Sequence, residues 1–225
     1  TIFLPLLGFV FSSITGNNLN KKFSQYITSI LLILSAVFAW IVFIDVFINQ
    51  ISYKIYLLDW FKSGDLYVSW SLRIDTLTTV MFIVVTNISA AVHVYSIGYM
   101  SKDNSVPRFM GYLSLFTFFM LILVSSDNLV QMFFGWEGVG LSSYLLIGFW
   151  YNKSSANNAA IKAFILNRIG DFAFLIGIVG IFSIFNTIHL DEIFSQVEIY
   201  KHHQINTLGV NFSTINLLCI LLFIG

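Results

Sequence analysis

The chain has 225 residues, of which 57% are hydrophobic and only 10% charged, and its formal net charge is zero. A soluble domain usually carries about 25% charged residues, so this composition excludes an ordinary soluble protein and predicts an integral membrane protein in a lipid bilayer. The balanced charge gives no reason to expect a nucleic-acid partner. The single cysteine, Cys219, excludes an internal disulfide, and the sequence has no Cys/His spacing typical of a metal site.

Apolar runs follow one another along the chain, separated by polar turns. A transmembrane helix needs about 20 apolar residues, so the first run is short for a span and the last is too short to cross a bilayer. We therefore predict an all-α polytopic membrane protein, a transmembrane helix bundle, and interpret the chain as the N-terminal part of one membrane domain that breaks off inside a helix. The predicted spans cover residues 2–14, 26–48, 77–100, 111–124, 129–150 and 159–184, with an incomplete one from 214.

The connector between the second and third spans, residues 51–73, is rich in polar and aromatic side chains. Apolar and aromatic residues alternate on both sides of Ser63-Gly64-Asp65, which is the pattern of two strands joined by a turn. Aromatic side chains suit the headgroup zone of a bilayer. We predict a short surface hairpin here, and a short amphipathic helix on the surface over residues 188–197.

An otherwise apolar run, Leu129 to Trp150, carries Glu137 near its middle. A lone carboxylate at membrane depth is energetically expensive and marks a path for ions or protons. Three glycines, Gly135, Gly138 and Gly140, lie around it. Small residues permit close helix packing, but glycine also weakens a helix. The sequence therefore leaves open whether the fifth span packs tightly there or bends and admits water.

The sixth predicted span contains Arg168 and Asp171, which are three residues apart and therefore neighbours on one helix face. A tight turn joins the fifth and sixth spans, so they should pack antiparallel with Glu137 and Asp171 at similar depth. If the two faces meet, the three groups form one cluster at mid-membrane. Such a cluster can handle protons, because its charge state depends on the balance between burial and neighbouring charges. The alternative is an inert ion pair that orients the helices.

Two further polar residues lie inside predicted spans, Lys162 in the sixth and His93 in the third. Lys162 is nine residues from Asp171 and on the opposite helix face, so it is a candidate either for a proton path or for snorkelling to the headgroups. A histidine can shuttle protons near neutral pH, yet a lone histidine in an apolar helix is more often a packing residue. Asp75 and Asp127, at membrane edges, are predicted to be ordinary interfacial residues.

Five stretches of the sequence carry a family resemblance. They are Arg73-Ile74-Asp75, Tyr95-Ser96-Ile97-Gly98-Tyr99-Met100, Arg108-Phe109, Gly135-Trp136-Glu137-Gly138-Val139-Gly140 and Asn167-Arg168-Ile169-Gly170-Asp171. With these residues the chain resembles the antiporter-like subunit of respiratory complex I, which is subunit 5 of NADH dehydrogenase in mitochondria and chain L in bacteria. The last two stretches are highly specific in combination, and the resemblance is weaker over residues 14–72 and 185–211.

The resemblance implies a long helical bundle that translocates protons while other subunits pass electrons from NADH to a quinone. It implies that Glu137 pairs with a lysine on the seventh helix, past residue 225, and that Arg168 and Asp171 belong to the same charged network. FMN and iron–sulfur clusters are expected in the other subunits, because this chain has one cysteine and no glycine-rich dinucleotide loop after a strand. The subunit would belong to a translocase enzyme and carry out no redox chemistry itself.

The partners that the resemblance implies are the other membrane subunits of complex I, protons and the lipid bilayer. The expected location is the bacterial cell inner membrane or the mitochondrial inner membrane. Residues 152–164 resemble alphaproteobacterial and plant or protist mitochondrial members more than animal ones, which favours a bacterial origin. Two alternatives stay open: the large subunit of a multi-subunit cation/proton antiporter, which shares the glutamate motif, and a helical scaffold whose charges only fix assembly.

Overall fold

The structure, a computed structural model, describes residues 1–15, 21–201, 203–207 and 210–225. Most of these residues are helical. The helices are α1 (Phe3–Thr15), α2 (Lys21–Asn49), α3 (Thr76–Tyr99), α4 (Val106–Val124), α5 (Leu129–Ile147), α6 (Ser154–Phe185), α7 (Leu190–Gln196) and α8 (Thr214–Ile224). The strands form two antiparallel hairpins, β1 (Tyr53–Ser63) with β2 (Leu66–Ile74) and β3 (Gln204–Thr207) with β4 (Val210–Ser213).

The helices form a bundle that combines contacts between neighbours in sequence with contacts between helices further apart. α1 and α2 pack on each other and on α4, and α3 packs on α2 and α4. α5 extends the bundle from α4, α6 packs on α5, and α8 packs on α6. In the described part of the chain, α2, α3, α4 and α6 are long and apolar enough to cross a bilayer, and α1 and α8 are shorter apolar helices. The chain is thus an all-α polytopic membrane protein.

α5 is as long as α4, 19 residues, but it is not among the four helices that are apolar enough to cross a bilayer. Gln131, Glu137 and two serines lower its hydropathy within a helix of only 19 residues. Gln131 and Ser142 are fully buried, and Oε1 of Gln131 accepts from the backbone N–H of Ser71 in β2 at 3.1 Å. These two polar side chains of α5 therefore face the interior of the protein.

Four helices have ends that differ from the predicted spans. α4 begins at Val106 instead of 111, because Pro107 lies in the first turn, where a helix needs no backbone N–H. α2 and α6 begin five residues before the predicted spans, at Lys21 and Ser154, because a packed helix readily continues into polar flanking residues. α5 ends at Ile147, three residues before its predicted end. The ends of α1 and α3 and the start of α8 lie within one residue of the predicted ranges.

The first hairpin confirms the surface hairpin predicted between the second and third spans. Its strands pair antiparallel from Tyr53 with Ile74 to Ser63 with Leu66. Gly64 has a φ of 58° at the turn, a conformation that glycine adopts without a steric penalty. β1 is exposed along its whole length, whereas half of β2 is buried against the bundle. The hairpin therefore packs on the bundle through β2 and leaves β1 exposed.

Two buried apolar clusters hold this end of the bundle, the hairpin end, together. One lies among α1 to α4 and β2, and the other lies among α5, α6, α7 and α8. The predicted amphipathic helix over residues 188–197 is present as α7, and it docks into the second cluster. The first cluster consists of Ile2, Ala39, Leu72, Phe82, Leu121 and Ile122. The second consists of Leu129, Ile178, Ile181, Phe185, Ile193 and Leu218.

Candidate functional site

The antiparallel pair of α5 and α6 brings Glu137 and Arg168 into contact. Nη1 of Arg168 donates a hydrogen bond to Oε1 of Glu137, which makes this contact an ion pair as well. The same Nη1 lies 3.7 Å from Oδ2 of Asp171, one helical turn further along α6. Glu137 and Arg168 both lie near the middle of their helices. The two faces therefore meet at mid-depth, and the three charged groups form one cluster.

Trp136 is a fourth member of this cluster, and the sequence analysis did not single it out. Its indole Nε1 donates to Oδ1 of Asp171 over 2.8 Å. The side chain of Asp171 is only 6% exposed, so this donor replaces the water that a carboxylate normally binds. The position of Trp136 beside Glu137 in the most specific sequence stretch was the available signal. The spacing of residues along α5 did not predict that the indole of Trp136 points towards α6.

The cluster contains one more acid than base. Arg168 supplies one positive charge to two carboxylates, Glu137 and Asp171. Two ionised carboxylates around one cation leave a net negative charge at membrane depth, which is unfavourable away from water. A proton on one of the acids, or a further cation, restores the balance. The arrangement is therefore suited to gain and lose a proton in response to the approach of another charge.

A cavity of about 190 Å³ adjoins the ion pair and gives it access to other groups. Arg168 is half exposed and Glu137 is one-quarter exposed at this cavity, and the guanidinium of Arg168 stacks over the ring of Phe164 at 5.1 Å. The wall of this cavity is largely apolar, but the charged groups in it give water a place to bind, and the space suits a few water molecules or the end of a long side chain. Within the described residues no group of three or more acidic, His or Cys side chains is placed to hold a metal ion.

The glycines of α5 serve two faces of the helix. A methyl group at Gly135 would lie 2.7 Å from backbone atoms of Leu123, and one at Gly138 would overlap the ring of Phe119. These two glycines therefore permit the close approach of α5 to α4. Gly140 lines the cavity, where a methyl group would lie 3.8 Å from Asn167. α5 runs unbroken from residue 129 to 147, so the open choice is settled for Gly135 and Gly138 in favour of close packing.

The structure places Lys162 outside the cluster. It lies on an exposed part of α6, about 14 Å along the helix from Asp171 at about 1.5 Å per residue. It is not among the residues that line the cavity beside Glu137. Its position, about two turns after the start of α6 at Ser154, suits a side chain that reaches towards the headgroups.

His93 also lies apart from the cluster, fully buried between α3 and α4. Its Nδ1 is 2.8 Å from the backbone oxygen of Ser89, which can only accept, so the proton resides on Nδ1. Its Nε2 is 3.1 Å from the hydroxyl of Ser114 and accepts from it. Both ring nitrogens of the neutral imidazole are thus satisfied by α3 and α4, which is the environment of a packing histidine.

The prediction that Asp127 is an ordinary interfacial residue is wrong. It lies in the loop between α4 and α5 and is fully buried, because the hairpin covers it. Its Oδ2 receives Nζ of Lys54 at 2.8 Å and the hydroxyl of Ser71 at 3.0 Å, and lies 3.4 Å from Nδ1 of His189. Burial alone would raise the pKa of Asp127, but the contacts with His189, Lys54 and Ser71 lower that pKa to about 2. This ionised carboxylate fastens the hairpin to the bundle.

Comparison with known families decides what kind of protein carries these sites. Residues 60–110 match the family described as NADH-Ubiquinone oxidoreductase (complex I), chain 5 N-terminus, and residues 126–225 match NADH:quinone oxidoreductase/Mrp antiporter, TM. The chain is 48% identical over 224 residues to NADH-quinone oxidoreductase subunit L of Rickettsia conorii. The chain belongs to the family of complex I antiporter-like subunits.

Relatives of this subunit family occur in bacteria and in eukaryotes. NADH-ubiquinone oxidoreductase chain 5 of the alga Chondrus crispus is 46% identical over 224 residues, and chain 5 of Arabidopsis thaliana is 45% identical. All of this chain is matched by the Rickettsia conorii and Chondrus crispus relatives, but it spans only 34% of either of them. The second family match, over residues 126–225, includes Asp127 and the whole Glu137 cluster.

Two solved structures share the fold of this complex I subunit relative. The Mrp complex from Dietzia sp. contains a chain that superposes with a TM-score of 0.79 at 19% identity, over 99% of this chain and 23% of that one. A chain of the archaeal membrane-bound sulfane sulfur reductase superposes with a TM-score of 0.77 at 18% identity, over 99% of this chain and 42% of that one. The helix arrangement is thus common to several membrane complexes.

Proposed function

We propose that this chain is part of a proton-translocating membrane subunit of NADH:quinone oxidoreductase, and that Glu137 is the acid that takes up and releases the proton. The observation that carries the proposal is the charge imbalance at mid-depth, where Arg168 alone faces the two acids Glu137 and Asp171. The family relationship supports it, because the relatives are subunits named for that enzyme. Proton translocation is the activity that an incompletely neutralised buried acid suits best.

The proposed mechanism uses the position of Arg168 between two carboxylates. When a further cation approaches Glu137, both acids remain ionised and Arg168 is shared between them. When that cation withdraws, Glu137 takes up a proton and Arg168 turns to Asp171, which lies 3.7 Å from its Nη1. The lysine that the resemblance implies beyond residue 225 is the proposed further cation. A coupled titration of this kind moves one proton for each cycle of the cation.

The rest of the enzyme supplies the electron chemistry in this proposal. In this proposal FMN and the iron–sulfur clusters reside in other subunits, and the single cysteine of this chain falls short of the several thiolates that an iron–sulfur cluster needs. The partners are the neighbouring membrane subunits, lipid and protons. The membrane is the bacterial inner membrane or the mitochondrial inner membrane, since the relatives include bacterial subunit L and eukaryotic chain 5. Lys162 and His93 take no part in the central exchange step.

Substitution of Glu137 by Gln in the full-length subunit tests the proposal. Glutamine keeps the size of the side chain but cannot hold the charge, so NADH-driven proton pumping should fall strongly while the complex still assembles. Pumping is measured in membrane vesicles with a pH-sensitive dye and normalised to assembled complex. Glu198→Gln is the matched control, because Glu198 is an exposed acid outside the spans. Unchanged pumping per assembled complex in Glu137→Gln would refute the assignment.

A multi-subunit cation/proton antiporter is the second candidate function. It is favoured by the description of the family matched over residues 126–225, which names the Mrp antiporter beside the oxidoreductase. The two functions differ in what drives proton movement. Membrane vesicles that contain the assembled complex would show proton movement on addition of NADH in the first case. In the second case a sodium gradient would move protons without NADH.

A further inference from the structure

A second cavity lies at the end of the bundle opposite to the hairpin, which we call the loop end. It has a volume of about 220 Å³ and lies among the start of α4, the end of α5 and the start of α6. No acidic side chain lines it. Its polar lining consists of Arg108, Tyr112, Tyr144, Tyr151 and Asn157.

Arg108 is held rigidly in this cavity, but no anion neutralises it. Its Nη2 donates to the backbone oxygen of Phe149 over 3.1 Å. The guanidinium lies 4.8 Å from the ring centroid of Phe149 and 5.2 Å from that of Tyr151. Its Nε is buried without a hydrogen-bond partner, and none of the ion pairs in the described part of the chain includes Arg108. An arginine fixed in this way normally presents its planar donors to a carboxylate or a phosphate.

The surroundings of Arg108 suit the boundary of a membrane, and they include an acid, Asp103, whose Oδ2 accepts from Nε1 of Trp150 at 3.0 Å. Lys153 lies over the ring of Trp150 at 4.9 Å on the adjoining loop. Tyr112 and Ala160 lie six residues inside α4 and α6, which places the floor of the cavity about 9 Å from the helix ends at about 1.5 Å per residue. Exposed Trp150 and Tyr151 mark the mouth, as aromatic residues do at the headgroup level. The site is therefore at the depth of lipid phosphates.

We propose that this cavity binds the phosphate of an anionic phospholipid. Arg108 donates to the phosphate oxygens, and the hydroxyl groups of Tyr112 and Tyr144 provide further donors. Among the described residues, Arg108 is the one charged side chain in the lining, so the cavity itself is positive and favours a lipid with net negative charge. The inference goes beyond the proposed function and does not depend on it.

The test measures stabilisation by added lipid in the full-length protein, purified in detergent and depleted of lipid. Phosphatidylglycerol, phosphatidylcholine and inorganic phosphate are titrated separately, and the thermal unfolding midpoint is followed for each. The wild type should be stabilised by phosphatidylglycerol. Arg108→Gln should bind it about tenfold more weakly, as expected for loss of a charge-assisted hydrogen bond. The control is Lys102→Gln, which removes one exposed positive charge at the same end but outside the cavity, and it should respond like the wild type.

Three results would overturn the proposal. They are equal stabilisation of Arg108→Gln and wild type by phosphatidylglycerol, equal stabilisation of wild type by phosphatidylcholine, and equal stabilisation by inorganic phosphate. If Arg108→Gln does not fold, the double variant Tyr112→Phe, Tyr144→Phe replaces it, because it keeps both rings and removes only the hydroxyl donors. Its affinity for phosphatidylglycerol should fall severalfold, and an unchanged affinity would count against the site. Native mass spectrometry of the same samples counts the lipid molecules that each variant retains.

Discussion

At the scale of single residues, the two acids of the cluster are held in different ways. Asp171 is almost fully buried and receives a hydrogen bond from Trp136. Glu137 is more exposed, adjoins the cavity, and is hydrogen-bonded only by Arg168 among the described residues. Each acid has one hydrogen-bond donor, but the indole that serves Asp171 is neutral, whereas the guanidinium that serves Glu137 can turn to the other acid, so Glu137 can change its charge more readily. We therefore expect Glu137 to exchange the proton and Asp171 to remain the fixed anion that positions Arg168.

Trp136→Phe tests the supporting role of the indole. The variant keeps an aromatic ring but removes the N–H that donates to Asp171, so Arg168 should shift from Glu137 towards Asp171. We expect NADH-driven pumping per assembled complex to fall severalfold, measured in membrane vesicles. Trp40→Phe is the control, because Trp40 is a half-exposed tryptophan on α2. A loss of the same size in both variants would contradict a specific role for Trp136.

Asp127 predicts a dependence of stability on pH at the hairpin end. Asp127→Asn removes the charge that faces Lys54 and His189, and we expect a loss of about 1–3 kcal/mol in stability near neutral pH. The folded-state pKa of Asp127 is about 2, below the ordinary 3.8. Its contribution is therefore present above about pH 4 and is lost as the pH falls towards 2. Unfolding midpoints of the full-length wild type and variant, measured across this range, give the difference.

The control for Asp127 is Asp65→Asn, because Asp65 is an exposed acid at the turn of the same hairpin. Its unfolding midpoint should follow that of the wild type at every pH. A gap between wild type and Asp127→Asn that widens on acidification would run against the expected sign.

At the scale of elements, α5 has one face for packing and another for chemistry. Gly135 and Gly138 bring it against α4, whereas Glu137 and Gly140 face α6 and the cavity. The sequence shows the glycines but not which neighbour each of them meets. Spacing along a helix gives relative directions only, and the absolute direction depends on which helices pack around it.

Gly138→Ala and Gly140→Ala separate the two faces of α5 with the same added methyl group. The methyl at 138 overlaps the ring of Phe119, so we expect a loss of about 1–3 kcal/mol, as for other overpacked sites. The methyl at 140 meets its nearest atom, Nδ2 of Asn167, at 3.8 Å, which is ordinary contact, so stability should be nearly unchanged. Thermal unfolding of the full-length protein in detergent measures both. Equal effects would show that the α4–α5 contact is looser than described.

The first hairpin shows what local patterns predict and what they miss. Alternation and a glycine turn were enough to predict its two strands. Its docking was not predictable, because it depends on long-range contacts such as Asn128 Nδ2 to the backbone oxygen of Ser69 at 2.8 Å and Trp70 against Phe134 at 5.1 Å. The burial of Asp127 follows from this docking, since its partner Ser71 is 56 residues away in sequence.

At the scale of the whole molecule, the level of each charged residue along its helix was predictable from the sequence, but the direction of its side chain was not. A tight turn between two apolar runs sets α5 and α6 antiparallel, so the level of Glu137 and Asp171 follows from counting residues. That Glu137 meets Arg168, and that Trp136 reaches Asp171, depends on how α5 packs on α4. The same limit applies to His93, whose hydrogen bonds to α3 and α4 could be found only once those helices were placed.

The attachment of α5 to α6 has a mechanical consequence. At the hairpin end, backbone hydrogen bonds join the start of α5 to the segment that follows α6, from Leu129 N to the oxygen of Ile188 and from Leu190 N to the oxygen of Asp127. At the loop end residues 148–153 join α5 to α6 directly. Because α5 and α6 are joined at both ends, they cannot separate at one end, and a change in the distance between them is largest near the middle of the helices. Glu137 lies near that point. We therefore expect that loss of its charge shifts α5 relative to α6 most easily at the level of the ion pair.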